Sequence, residues 1–168
     1  MTNRPKPDHY RPIQIVLHWI VVLGVISQIA VHDQIVAVVE ALRLGETPNS
    51  ADVPWAWMHV GVGSTILLAV LARLYLRYRY GAPGHAPGTS PAQAKMASIM
   101  HWGLYGLLLG MVVTGMLTWN GIAPLGGVHF VINVVLFFAV LAHAAAAVFN
   151  HFVRKDGTLG RMSLSRRT

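Results

Sequence analysis

Cysteine is absent from this chain. That excludes structural disulfides, thiolate metal sites, iron–sulfur clusters and haem tethered covalently through a C-x-x-C-H motif. Charge is scarce as well. Asp, Glu, Lys and Arg make up 11% of the 168 residues, against about 25% in soluble domains. Water is therefore a poor solvent for most of this surface. Strict apolar–polar alternation, the mark of half-buried strands, is missing from the apolar runs.

What the chain has in quantity is apolar surface, 54% of its residues. It falls into four runs, about 13–31, 54–76, 97–119 and 128–152. Each is close to the roughly 20 residues that cross about 30 Å of hydrocarbon. The expected fold class is all-α, a four-helix transmembrane bundle in a lipid bilayer. Residues 32–53 form a polar connection with a short helix over 34–44, and residues 81–94 (GAPGHAPGTSPAQA) read as a Gly/Pro-rich loop. Residues 120–127 make a tight hairpin. No A-x-A cleavage site follows the first run, so it reads as an uncleaved first span.

The formal charge of +7 does not point to nucleic acid, because the basic residues flank apolar runs. Four spans put the N-terminus, the 81–94 loop and the C-terminus on one side. Arg4, Lys6, Arg11, Arg73, Arg77, Arg79, Lys95, Arg154, Lys155, Arg161, Arg166 and Arg167 all belong there, and Arg43 alone lies opposite. The positive-inside rule makes that side cytoplasmic. The expected organisation is a cytoplasmic N-terminal segment over 1–12, a transmembrane domain over 13–152 and a loose basic cytoplasmic tail over 153–168. Trp55, Trp57 and Trp119 fall at the outer interface, and Tyr75, Tyr78 and Tyr80 at the inner one.

Histidine is the informative residue. His129 and His143 stand fourteen apart in one apolar run. At about 1.5 Å per residue they are roughly 21 Å apart along a helix. Fourteen steps of about 100° return the second to within roughly 40° of the first. Both rings thus point to one side, at opposite depths. His18 matches His143 in depth, and His59 matches His129, five residues after Pro54 and Pro124 respectively. Ionisable rings in hydrocarbon call for a functional reading. His9 and His85 lie in polar segments and read as solvated, as does His32 beside Asp33.

Two imidazoles per level, with no carboxylate or thiolate, are too few for zinc, which takes three or four protein ligands. Haem brings four nitrogens of its own and asks the protein for two. The candidate iron ligands are therefore His18, His59, His129 and His143, with His101 the rival to His18. Gly61, Gly63, Gly103, Gly106, Gly110, Gly115 and Ala144 to Ala147 would leave room for the macrocycles, although small residues also serve close helix packing. Arg73 lies fourteen residues after His59, on its face at the cytoplasmic depth, and could meet a propionate or a quinone headgroup. His101 opens the third span and His151 closes the fourth; each could serve a quinone as proton donor or hydrogen-bond partner, or equally be an interfacial histidine with no such task.

These pieces resemble the prokaryotic cytochrome b561 family of dihaem membrane cytochromes b. The resemblance rests on IQIVLHWIVVL, MHVGVGSTILLAVLARL, HWGLYGLLLGMVVTG and VHF…LAHAAAAVFNHFVRKDGTLGRM, and covers roughly residues 10–162. It implies two haem b groups on the four ligands above and electron transfer across the bacterial inner membrane, between a periplasmic redox partner and ubiquinone or another quinone. Some members resemble a superoxide:ubiquinone oxidoreductase, and His151 matches a position associated with the quinone site. Similar subunits act instead as membrane anchors, passing electrons from a hydrogenase- or dehydrogenase-type partner to quinone. The outer linker departs from superoxide chemistry: Asp33, Glu40, Glu46 and Asp52 against Arg43 leave it a formal −3, a field that repels an anion.

Overall fold

A computed structural model describes residue 7 and residues 9–164. Arg4, Lys6, Arg166 and Arg167 of the charge argument lie outside the described residues. Five α-helices follow in order: α1 (Pro12–Ala30), α2 (His32–Arg43), α3 (Val53–Tyr80), α4 (Pro91–Trp119) and α5 (Gly126–Phe152). No strand occurs among the described residues. All but α2 are long and apolar enough to cross a membrane.

Helix starts follow local chemistry. Pro12 opens α1, and the Gln14 side chain accepts from the Arg11 backbone N–H at 3.0 Å. Ser90 opens α4 in a reciprocal capping box: Ser90 Oγ accepts from Gln93 N at 3.3 Å, and Gln93 Oε1 accepts from Ser90 N at 3.0 Å. Pro91 takes the first helical position, where its missing N–H costs nothing. The loop read as 81–94 therefore ends at Ser90, and α4 begins six residues before the apolar run at 97. At the other boundary α3 runs on to Tyr80, with Arg77 and Arg79 in its last turn, where cations suit the helix dipole. Gly81, at φ 78°, stops it.

Packing is uneven. α1 lies along α3, α4 along α5, and α3 meets α4 over a shorter stretch. Gly24 lets α1 approach α3 so closely that a Cβ there would sit 2.8 Å from Ile66 Cγ1. α2 packs on α3 and buries Val38, with Val31 buried at the α1–α2 turn. Neither α1 with α5 nor α3 with α5 is among the closely packed pairs. A cavity of about 2720 Å³ occupies the space these helices leave.

The tail is not loose where it is described. A 3₁₀ turn over Leu159–Met162 brings it back to the bundle. Trp19 Nε1 donates to the Met162 carbonyl at 2.9 Å, Arg161 Nη1 to Gly84 at 2.7 Å and Arg154 Nη2 to Gly88 at 3.3 Å. The basic side chains satisfy loop carbonyls that a Gly/Pro-rich segment cannot pair internally. The start of α1, the α3–α4 loop and this tail thus gather at one end of the bundle.

Candidate haem site

The cavity is lined by side chains from all four long helices. Near α2, His59 of α3 and His129 of α5 face each other with ring centroids 6.5 Å apart. Towards the termini, His18 of α1 and His143 of α5 do the same at 6.3 Å. An imidazole nitrogen lies about 1.1 Å from its ring centre, so the nearest nitrogens in each pair are at least about 4 Å apart, beyond a hydrogen bond. These are not rings satisfying one another. A metal held at about 2.0–2.1 Å from a nitrogen on each side requires centroids about 6.3 Å apart. Both pairs meet that requirement across helices that do not close on each other.

Chemistry and volume agree. Among the described residues no cluster of three or more His, Asp or Glu could hold a bare metal ion. Ordinary small-molecule sites hold about 300–1,000 Å³, and this cavity exceeds that. His59 Nδ1 is buried with no hydrogen-bond partner, so that ring is not fixed by the protein alone. The residues present fit an iron porphyrin, which needs two axial imidazoles and an apolar slot.

Each remaining sequence candidate has a definite place. His101 is the eleventh residue of α4, about 15 Å into the helix rather than at its opening, because α4 starts at Pro91. Its ring lies 5.4 Å from that of His143, nearer than a bridging metal allows. Arg73 lines the cavity and donates from Nη1 to the Gln14 carbonyl at 2.6 Å, which ties α3 to the first turn of α1. Arg77 reaches over the Trp102 ring at 5.5 Å. His151 packs edge-on against Phe152 at 4.8 Å, its Nδ1 buried without a partner, and it is not part of the cavity wall. His32 is half-buried and lines the α2 end of the cavity, so it is not the fully solvated residue its polar neighbours suggest. At the other end, burial raises the Tyr10 hydroxyl pKa against the opposing pull of Arg77 and Arg73.

The small residues divide differently from the sequence reading. Gly63 and Gly115 line the cavity, but Gly61, Gly103 and Gly106 are exposed, and a Cβ added to any of them would meet nothing within 4 Å. A Cβ added to Gly110 would meet Ile132 at 3.4 Å, a packing contact between α4 and α5. Two polar residues near the rings escaped the sequence reading. Gln28 Nε2 donates to the His59 carbonyl at 3.0 Å, and Thr114 Oγ1 lies 3.0 Å from His129 Nδ1. Each is a polar side chain inside an apolar run, Gln28 with Ser27 beside it, a signal that could have flagged it but not its partner.

Four membrane-length helices and opposed imidazole pairs define a class, the small helical membrane haem proteins. The chain belongs to the prokaryotic cytochrome b561 family, which residues 9–163 match. It is similar to cytochrome b562 of Cereibacter sphaeroides, 31% identical over 96% of this chain and 98% of that one. It is also similar to the probable superoxide oxidase CybB of Yersinia pestis, 28% identical over 94% and 97%. Cytochrome b561 homolog 1 of Escherichia coli is 27% identical over 92% and 97%. Haem-based electron transport is the function this family supports.

Proposed function

We propose that the chain is a dihaem b-type cytochrome that passes electrons across the bacterial inner membrane, between a periplasmic donor and the quinone pool. The observation that carries this reading is the pair of matched ring separations, 6.3 and 6.5 Å, at two levels. His18 and His143 would hold one haem b, and His59 and His129 the other. Their spacing supports His18 over His101 as the inner ligand. Haem, when bound by these two histidine pairs, would supply one-electron chemistry. The helices supply orientation and a dry surround. α5 carries a ligand to both levels, roughly 21 Å apart.

The domain limits proposed are 1–12, 13–152 and 153–168, with both termini cytoplasmic. The lysine and arginine distribution supports that sidedness. Quinone would meet the inner level beside Arg73 and His101, which line the cavity there. His151, carried over from the family resemblance, would act from outside that wall.

The donor at the outer face is open to superoxide by likeness to the probable superoxide oxidase. The surface there favours a different donor. Glu40 pairs with Arg43, leaving Asp33, Glu46 and Asp52 uncompensated by any cation in the linker. That charge favours a cationic redox protein, and with it the reading of a membrane anchor for a hydrogenase- or dehydrogenase-type partner.

Purified protein should carry two haems per chain, give a b-type reduced-minus-oxidised spectrum and reduce a soluble ubiquinone analogue once its haems are reduced. One haem or none refutes the dihaem reading. Stoichiometric co-purification of a large dehydrogenase, with no quinone reduction by the isolated chain, would favour the anchor. Reporter fusions at the C-terminus test sidedness.

A further inference from the structure

Thr114 is a buried polar residue in the last two turns of α4, which packs along α5. Its hydroxyl lies 2.7 Å from the Gly110 carbonyl, 3.2 Å from the Met111 carbonyl and 3.0 Å from His129 Nδ1. A threonine hydroxyl has one proton and two lone pairs. In an α-helix that proton commonly goes to the carbonyl one turn back, and Gly110 is the nearest acceptor. The oxygen is then left to accept, and among these neighbours the group able to donate is His129 Nδ1–H. A ring whose Nδ1 carries the proton presents a bare Nε2.

The ring is seated as well as oriented. A Cβ on Gly115 would stand 3.0 Å from His129 Cε1 and 3.3 Å from Nδ1, so the imidazole lies flush against the α4 backbone. Its partner has no such support: His59 Nδ1 is buried without a hydrogen bond.

We propose that Thr114 is the positioning residue of the outer haem site, selecting the Nδ1–H tautomer of His129 and thereby making Nε2 the iron ligand. The hydrogen bond also draws the Nδ1 proton towards oxygen. That makes the imidazole a stronger donor and favours ferric over ferrous iron. Thr114 does not touch the iron; it acts through His129. The inference rests on the dihaem reading above.

The test compares purified wild-type protein with Thr114→Val, which keeps the shape without the hydroxyl, and Thr114→Ser, which keeps the hydroxyl. Haem-to-protein ratio, electron paramagnetic resonance of the ferric haems and a potentiometric titration are read on each. Expected in Thr114→Val is an upward shift of one haem potential, a changed signal for one ferric haem, and binding of that haem about 10–100-fold weaker. The second haem should be unaffected, and Thr114→Ser should restore the first. If both haems in Thr114→Val keep wild-type potentials and signals, the inference is overturned while the dihaem reading stands. It is also overturned if Thr114→Ser is as impaired as Thr114→Val. A wild-type protein without two bis-imidazole signals overturns both.

Discussion

Gly115 lies so close beneath the His129 ring that a methyl group in its place would come within 3.0 Å of Cε1. That is tighter than most carbon contacts, so in Gly115→Ala either the ring or the helix must give by a few tenths of an ångström. The ring is the softer of the two. The variant should therefore lose the haem proposed between His59 and His129, seen as a lower haem-to-protein ratio with the spectrum of the other proposed haem retained. Gly106→Ala, with nothing within 4 Å of the added carbon, is the control and should behave as wild type. Equal haem content in both variants would contradict the seat assigned to His129.

Removal of His18 separates the two candidates for the inner ligand. His18→Ala should reduce the haem content from about two per chain to about one, because a bis-imidazole site without one axial ligand holds haem poorly. His101→Ala should retain both, since its ring stands only 5.4 Å from His143. Pyridine haemochrome analysis against protein concentration distinguishes these outcomes. The reverse result would make His101 the ligand.

Gly24→Ala should destabilise the bundle without removing a ligand. The new carbon would meet Ile66 Cγ1 at 2.8 Å, and Ile66 is itself 5% exposed, with little room to move. Overpacking of this kind costs about 1–3 kcal/mol. Thermal unfolding in detergent should show a lowered midpoint, and an additional Ile66→Val change should recover part of it by removing Cδ1, which would stand 3.0 Å from the new carbon, and freeing the side chain to shift. An unaltered midpoint for Gly24→Ala would mean that α1 and α3 pack more loosely than this contact requires.

Salt should reveal the sign of the surface around α2 and the linker that follows it. If superoxide reduces the protein at all, the residual negative charge of Asp33, Glu46 and Asp52 opposes its approach. Screening weakens that repulsion over about 10 Å at 0.1 M salt. The second-order reduction rate should therefore rise with ionic strength, measured by stopped-flow absorbance of the haem. A cationic donor protein should show the opposite trend. A superoxide rate that falls with salt would mean an attracting surface and would remove the objection to superoxide as the donor.

How far the chain could be read without coordinates depended on what each feature required. Span number and helix type were legible because hydrocarbon forces every backbone group into an internal hydrogen bond, and long apolar runs leave helix as the answer. The boundary of α4 was harder. Its start at Pro91 is set by Ser90 and Gln93 rather than by hydropathy, so an apolar-run reading placed it late. The capping signature was in the sequence but lay inside a segment that looked like loop. The contacts of Arg154 and Arg161 with loop carbonyls had no local signal at all, since their partners lie 66 and 77 residues away.

The sequence by itself determined the four spans, the scarcity of alternative ligands and the fourteen-residue spacing that puts His129 and His143 on one side of α5, because helix geometry is local and periodic. Only the tertiary structure decided that His18 opposes His143 at 6.3 Å while His101 crowds it at 5.4 Å, that Thr114 reaches His129, and that Gly115 faces a ring while Gly106 faces open space. Those relations depend on the rotation and offset of one helix against another. Both are set by side-chain packing between segments distant in the chain, and no single segment encodes them.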